Sequence, residues 1–391
     1  MNTRQSIVIF LCLLTLVSCQ QKQMAVVEVS NSWDITHENS PVGLPWSDII
    51  ANMPAAKPDN IVLVNAQTGE EVAHQVCYHG EPVPAGLFFQ VTLKPKESIK
   101  IFIKEGKPKQ EVVYKTFGRF VPERKDDYAW ENDRIAFRMF GPALAPENPS
   151  NGVDLWLKRT ENLIVDKFYF DDLNNNKSYH VDHGEGLDCY RVGPALGAGG
   201  ISPFVDDVLW VGKHFTSHET LDNGPLLTSF RLKYDNNLRV GDKFFSKEIT
   251  IYIEAGSQFN TAVVKFDGDF SEIEVAAGIF LHDDPGNMRY SVEDGYTAFG
   301  EIATSDAGVP AGRNYIATVF PPWTTMSRVL IQQNHLLAIA PYKKGDELMY
   351  FFGGGWSKWG FETDEKWFDH VAAFAQRLRM PLSVAISGGL D

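Results

Sequence analysis

From about residue 25 onward the chain is a succession of short runs in which apolar and polar positions alternate, separated by clusters of Gly, Pro, Asn and Asp. Ile249, Ile251 and Ile253 alternate with Thr250, Tyr252 and Glu254. Phe230, Leu232 and Tyr234 alternate with Arg231 and Lys233, and Ile135, Phe137 and Met139 with Arg134, Ala136 and Arg138. A period of two puts every apolar side chain of a strand on one face, so each run reads as a strand with one buried side. Further strands are predicted over residues 61–65, 88–93, 98–104, 262–266, 273–280, 315–320, 336–340 and 348–352. A helical period occurs once, over Asp364–Arg379, where Trp367, Val371, Phe374 and Leu378 form an apolar stripe. Thr363 is placed to cap it, Asp364 and Glu365 begin it, Arg377 and Arg379 end it, and Pro381 stops it. The pattern predicts an all-β fold, an antiparallel β-sandwich with one C-terminal helix docked on it. Residues 382–386 are predicted to add a closing strand.

The first residues carry a different signal. Arg4 precedes an apolar run from Ile7 to Val17, too short to span a bilayer as a stable helix and shaped like a secretory signal. Leu16-Val17-Ser18-Cys19 resembles the lipobox of bacterial lipoproteins, in which Cys19 is lipidated and becomes the mature N-terminus. Residues 1–18 are therefore expected to be a signal peptide, and the mature protein an exported lipoprotein tethered to a Gram-negative membrane. The periplasmic side of the outer membrane is favoured because no acidic run follows Cys19. A lysine-rich stretch over 106–115 suggests a boundary between an N-terminal β-module (19–110) that joins the sandwich and the main domain (111–391), which holds the active-site cleft. Export makes a Cys77–Cys189 disulfide chemically available, but two cysteines are no framework, and free buried thiols are the preferred reading.

With 391 residues the chain is long enough for a large core. Lys and Arg number 36 against 50 Asp and Glu, a formal charge of -14, which argues against a nucleic-acid partner because phosphate binding needs a clustered cationic surface. The aromatic content of 12% fits strands, and it also fits sugar binding, since flat rings stack on the apolar faces of pyranoses.

The densest chemistry lies between Tyr179 and Arg191, where His180, Asp182, His183, Glu185, Asp188, Cys189 and Tyr190 fall in a glycine-punctuated stretch read as a loop. Three uses compete for it. The first is acid–base catalysis, with His183, His180 and Tyr190 transferring protons. The second is a divalent metal on His180 and His183 with Glu185 or Asp188, although nothing in the sequence requires a cofactor. The third is a loop whose polar groups satisfy one another. A second constellation runs from Trp130 to Arg138. Strand geometry would put Asn132, Arg134 and Arg138 on one face, the two guanidiniums about 13 Å apart, fit for an extended anion or for surface salt bridges. The third is Gly353-Gly354-Gly355-Trp356-Ser357-Lys358-Trp359, either a sugar subsite or tryptophans sealing the helix on the sheet. His214, His218 and Glu219 are candidates to line the same cleft, with Arg191.

The phrases Arg119-Phe120-Val121-Pro122-Glu123-Arg124-Lys125-Asp126-Asp127-Tyr128-Ala129-Trp130-Glu131-Asn132-Asp133, His183-Gly184-Glu185-Gly186-Leu187-Asp188 and Gly355-Trp356-Ser357-Lys358 resemble a family of exported proteins known as domain of unknown function 4861. That resemblance covers most of the mature chain. It implies a carbohydrate-active protein of polysaccharide-utilisation clusters, a β-sandwich of the sugar-mutarotase and lyase kind, and β-elimination on uronic-acid oligosaccharides, by a lyase or a dehydratase. Elimination needs the substrate carboxylate neutralised, the C5 proton removed and the C4 oxygen protonated. Arg134 or Arg138 is expected to do the first, His183 the second, and Tyr190 or His180 the third. Asn132, Glu185, Asp188, Arg191, His214, Trp356, Lys358 and Trp359 would contact the acidic oligosaccharide. The alternatives are a glycoside hydrolase using Glu185 with Asp188, or Glu131 with Asp133, and a lipid-anchored glycan-binding protein.

Overall fold

The computed structural model describes residues 23–109, 111–283, 286–305 and 308–390. The expected signal peptide and Cys19 lie outside the described residues. The body is all-β, built from antiparallel sheets. The largest sheet has eight strands, and its central members are Phe259–Asp267, Leu348–Trp356, Pro310–Val319 and Tyr296–Thr304. A five-stranded sheet packs against one face of it, in the order Gly186–Asp188, Val153–Lys158, Ala136–Met139, Asp127–Asn132 and Thr116–Val121. The shared core is aromatic. Phe137 meets Phe352 edge to face with ring centroids 5.6 Å apart, and Trp130 tilts on Phe230 at 4.8 Å. A second five-stranded sheet extends this core through Ile201, Val275, Ala277, Leu336 and Ala338.

The first hundred residues build two further sheets around a core of their own, which includes Val27, Val42, Leu63, Phe89 and Ile103. The closing strand Ser383–Leu390 pairs along its whole length with Gln23–Ser30, so the chain's last strand belongs to this N-terminal module and not to the sandwich it follows. Leu382 and Ile386 pack on the module's core.

Among the described residues there are three α-helices, α1 (Trp46–Asn52), α2 (Val165–Asn175) and α3 (Asp364–Arg379). The third matches the predicted span, with the Thr363 hydroxyl accepting from the Lys366 amide. It docks Trp367, Phe368, Val371 and Ala375 on the face of the large sheet opposite the five-stranded sheet. The first two correct the expectation of a single helix. The N-terminus of α2 has no local side-chain cap; the distant Glu131 carboxylate accepts both the Ile164 and the Val165 amides at 2.7 Å. A helix start made by a side chain more than thirty residues away leaves no trace in the local pattern.

Cys77 and Cys189 are both buried, and no disulfide joins them. Burial, with the Asp222 charge as the next cause, pushes the Cys77 thiol up to about 12, so the uncomplexed thiol is a protonated, inert group.

Candidate active site

One end of the sandwich brings several of the titratable and aromatic side chains together. Glu301 faces Asn314 across one strand pair, and Asn314 faces Trp356 across the next. Directly opposed residues of an antiparallel pair point to the same side, so the three side chains form a row at the end of the sandwich interior. The stretch after the edge strand Gly186–Asp188 closes over this row. The Cys189 thiol approaches Asn314 Oδ1 at 3.8 Å, and Tyr190 stands edge-on to His282 with centroids 5.1 Å apart.

His282 is held at both ring nitrogens. Nδ1 lies 2.9 Å from both Glu301 oxygens, and Nε2 lies 2.6 Å from the Arg191 carbonyl. Both partners only accept, so the ring donates twice and is an imidazolium. Burial opposes that charge, but the Glu301 hydrogen bond and charge outweigh it and raise the pKa. From sequence His282 reads only as part of a polar, proline- and glycine-flanked run, so it is not among the expected site residues. Its partner Glu301 is nineteen positions away, inside an ordinary alternating strand, where only tertiary structure gives it meaning.

Cationic groups rim this end. Arg159 donates to the Gly184 carbonyl and to Asp182, both at 3.1 Å, and its guanidinium lies 5.9 Å from the Trp356 ring. Lys358 Nζ stands 5.3 Å from the same Trp356 ring, and Arg134 lies 5.6 Å from the Trp359 ring while pairing with the exposed Glu161 at 3.0 Å. Arg191, exposed, is near enough to His282 to oppose its protonation. The segments around 134, 183 and 358 are thus linked through Arg159 and Trp356. His183 is exposed on the loop that Arg159 pins, and its Nε2 donates to the Ser178 carbonyl at 3.0 Å. In the neutral ring that bond places the proton on Nε2 and the lone pair on Nδ1. His180, half-buried, lies 3.0 Å from the Asp188 carbonyl through Nδ1.

Several expected site residues turn out to be structural. Residues 132–138 do not form one strand; Asp127–Asn132 and Ala136–Met139 are a hairpin, and Arg134 sits in its turn. Arg138 is only 2% exposed and touches no open surface. Its guanidinium lies 2.7 Å from Asp154 and from Asp188, 3.2 Å from the Tyr179 hydroxyl and 3.8 Å from Asp127, with Phe140 and Trp156 over its faces. A charge so enclosed cannot neutralise a substrate. Asp188 is spent on the same cluster. Asn132 clamps its own turn, its amide donating to the Glu254 and Ser257 carbonyls and its oxygen accepting from Arg134 and Ile135. Glu185 pairs with Lys167. His214 is buried, with its pKa lowered by desolvation, and its carbonyl accepts from Asn237. His218 stacks on Phe120 at 4.0 Å. Tyr190 is 4% exposed, its hydroxyl donates to the Phe280 carbonyl at 3.4 Å and burial drives its pKa up, so it is a protonated phenol turned to the interior. Trp356 is 1% exposed and donates to the Ala311 carbonyl, which leaves half-buried Trp359 as the stacking surface.

The glycine run beside it has a packing reason. A Cβ at Gly354 would come within 2.7 Å of a Leu155 methyl, and one at Gly353 within 2.3 Å of the Gln258 carbonyl. The carboxylate pairs weighed for hydrolysis are also committed. Glu131 is sealed with Lys158 at 2.6 Å, and Asp133 accepts from the Gly256 amide and pairs with Lys115. As for metals, the described residues contain one group of three close ligand atoms, Cys77, His79 and Asp222, rather than the His180–His183 pair.

An all-β body with a histidine–carboxylate pair and a cationic rim at one end of a sandwich is the class that fold and site define. The chain belongs to the family described as "Domain of unknown function (DUF4861)", whose profile matches residues 29–384. It is 29% identical over 390 residues to "Uncharacterized protein P7" of Formosa agariphila, with 94% of each chain covered. Among solved structures it is similar to a protein in the glycosyl hydrolase family 38 from Enterococcus faecalis (TM-score 0.48, 9% identity) and covers 93% of this chain and 47% of that one. An alpha-mannosidase from Enterococcus faecalis V583 gives a TM-score of 0.47 at 7% identity, covering 93% and 46%. The chain spans about half the length of these two structures.

Proposed function

We propose that this protein is a carbohydrate-active enzyme that acts on uronic-acid-containing oligosaccharides by β-elimination, as a lyase or as a dehydratase. The observation that carries the proposal is the gathering of Arg134, Arg159 and Lys358 about Trp356 and Trp359, with His183 on the loop that Arg159 pins and His282 held protonated on Glu301. Elimination needs those three things: a base, an acid and a positive field for the carboxylate whose charge grows as the C5 proton leaves. In this scheme Arg159 and Arg134 take the carboxylate, and Trp359 and Lys358 hold a neighbouring sugar. His183 Nδ1 accepts the C5 proton, the C4–O bond breaks as the 4,5 double bond forms, and the His282 imidazolium gives its Nε2 proton to the leaving oxygen. Glu301 stabilises the imidazolium between turnovers. The expelled group is a sugar in a lyase and water in a dehydratase. We further place the protein at the periplasmic side of the outer membrane, tethered through Cys19.

Mass spectrometry of products from a panel of uronate oligosaccharides tests the reading. Loss of one water with chain length intact means dehydration, and cleavage leaving an unsaturated end means a lyase. Cleavage with addition of water, or no product on any uronate, overturns the proposal. His183→Ala should abolish turnover and largely spare oligosaccharide affinity; equal loss of both in a folded variant would point to a glycan-binding protein instead.

A further inference from the structure

Far from the proposed catalytic end, the turn after strand His74–Cys77 brings a thiol, an imidazole and a carboxylate together at the seam between the N-terminal module and the sandwich. Cys77 and His79 come from the module, and Asp222 from the strand Ser217–Asn223 at the edge of the large sheet. One ligand atom from each lies within 4.8 Å of the others. Tetrahedral zinc, with bonds of about 2.0–2.3 Å, spaces its donors roughly 3.5 Å apart, so the set must close by about 1 Å. His79 is exposed and can supply that movement by rotating its side chain.

Two features set this group apart from an ordinary turn. The Asp222 carboxylate is already aimed, with Oδ1 accepting from the Tyr78 amide at 2.7 Å and Oδ2 from the His79 amide at 3.0 Å, and Ser229 Oγ stands 3.3 Å from Oδ2. Hydrogen bonds of this kind orient a ligating carboxylate from outside the coordination sphere. The carboxylate is also 7% exposed, and among the described residues no lysine or arginine forms an ion pair with it. Buried carboxylates are ordinarily paired with a cation or a metal. A thiolate and a carboxylate together carry the charge that a divalent ion neutralises, and the thiolate selects a zinc-class ion over magnesium or calcium.

We propose that Cys77, His79 and Asp222 bind one zinc-class divalent ion that fastens the N-terminal module to the sandwich, with solvent in the fourth position. On binding, the metal–sulfur bond forms and the thiol proton leaves to solvent; nothing is oxidised or reduced. The site is independent of the proposed elimination chemistry and contributes no group to it.

The test uses the full-length protein, stripped with chelator and titrated with zinc chloride, with bound metal measured by inductively coupled plasma mass spectrometry. One equivalent should bind and raise the melting temperature. Cobalt substitution should give the sulfur-to-cobalt charge-transfer band. His79→Ala, a change at an exposed side chain, should weaken zinc binding at least tenfold and leave the metal-free melting temperature unchanged. Cys77→Ser should abolish the charge-transfer band, and turnover on a uronate substrate should change in neither variant. Failure to bind at micromolar zinc, binding that survives both substitutions, or a cobalt complex without the sulfur band would overturn the proposal.

Discussion

Replacing Arg138 by methionine removes the one guanidinium that Asp154 and Asp188 share and leaves the apolar stem in place. The cluster beneath α2 then keeps three buried carboxylates, those of Asp127, Asp154 and Asp188, against the single guanidinium of Arg124, which lies 3.7 Å from Asp127. Breaking a buried ion pair from one side costs about 3–5 kcal/mol, because the other charge is left uncompensated. An unfolding entropy of about 2.1 cal/mol/K per residue amounts to roughly 0.8 kcal/mol/K for a chain of this size, so the melting temperature should fall by about 5 °C. Stripped of their cation, the buried carboxylates will have pKa values above those of the unfolded chain. The penalty should therefore be full near neutrality and shrink as pH falls towards the unfolded carboxylate range, where a proton replaces the lost charge.

Differential scanning calorimetry of both proteins across pH, alongside turnover per folded molecule well below the transition, separates the two roles Arg138 was open to. A structural cation gives the acid-relieved loss of stability with kcat retained. Unchanged stability with abolished turnover would refute the buried-cluster argument and return Arg138 to the substrate. A deficit that grows on acidification would refute the charge accounting even if the fold loosened.

Arg159→Ala should raise KM for a uronate oligosaccharide at least tenfold with a smaller effect on kcat, and less so for a substrate with its carboxylate reduced; equal effects on both substrates would remove Arg159 from carboxylate binding. Glu301→Gln removes the charge that raises the His282 pKa, so the alkaline limb of the kcat profile should move to lower pH; an unmoved limb means His282 is not the acid. His370 is walled by Phe259, Phe361 and Trp367, and burial, helped by the Arg377 charge, lowers its pKa to about 4. The unfolded chain therefore takes up this proton first as pH falls below 6.5, and stability should drop by about 3 kcal/mol by pH 4. His370→Phe should flatten that part of the stability curve, and an identical acid limb in the variant would discard the assignment.

Strand identity was legible because it is written locally. The alternation around Ile249–Ile253 or Phe230–Tyr234 needs no distant partner to be read, and the Thr363 cap with its following stripe is equally self-contained. The α2 helix shows the converse. Its stripe Val165, Phe168, Tyr169 is too short to stand out, and the group that starts it, Glu131, comes from a strand more than thirty residues earlier in the five-stranded sheet. The hairpin at 132–136 was hidden for a related reason. Asn132 makes the turn by accepting the Arg134 and Ile135 amides on its side-chain oxygen, anchored by bonds to the carbonyls of residues 254 and 257, so the chain reverses without glycine or proline to announce it.

The site divides along the same physical line. Composition located the loop 180–191, the turn holding Arg134 and the segment around Lys358 and Trp359, since each is dense in titratable or aromatic side chains over a few residues. Composition is silent about burial, and burial decides role. Arg134 and Arg138 are the same residue type four positions apart, yet one lies over Trp359 beside solvent while the other is locked among three carboxylates. Conversely, Glu301 looks like any polar position on an alternating strand until the fold sets it 2.9 Å from His282. A charge spent on holding the sandwich together cannot also meet a ligand. The catalytic reading therefore rests on the side chains that stay exposed or half-buried at this end of the fold, His183, Arg134, Arg159, Lys358 and Trp359, and on the His282–Glu301 pair.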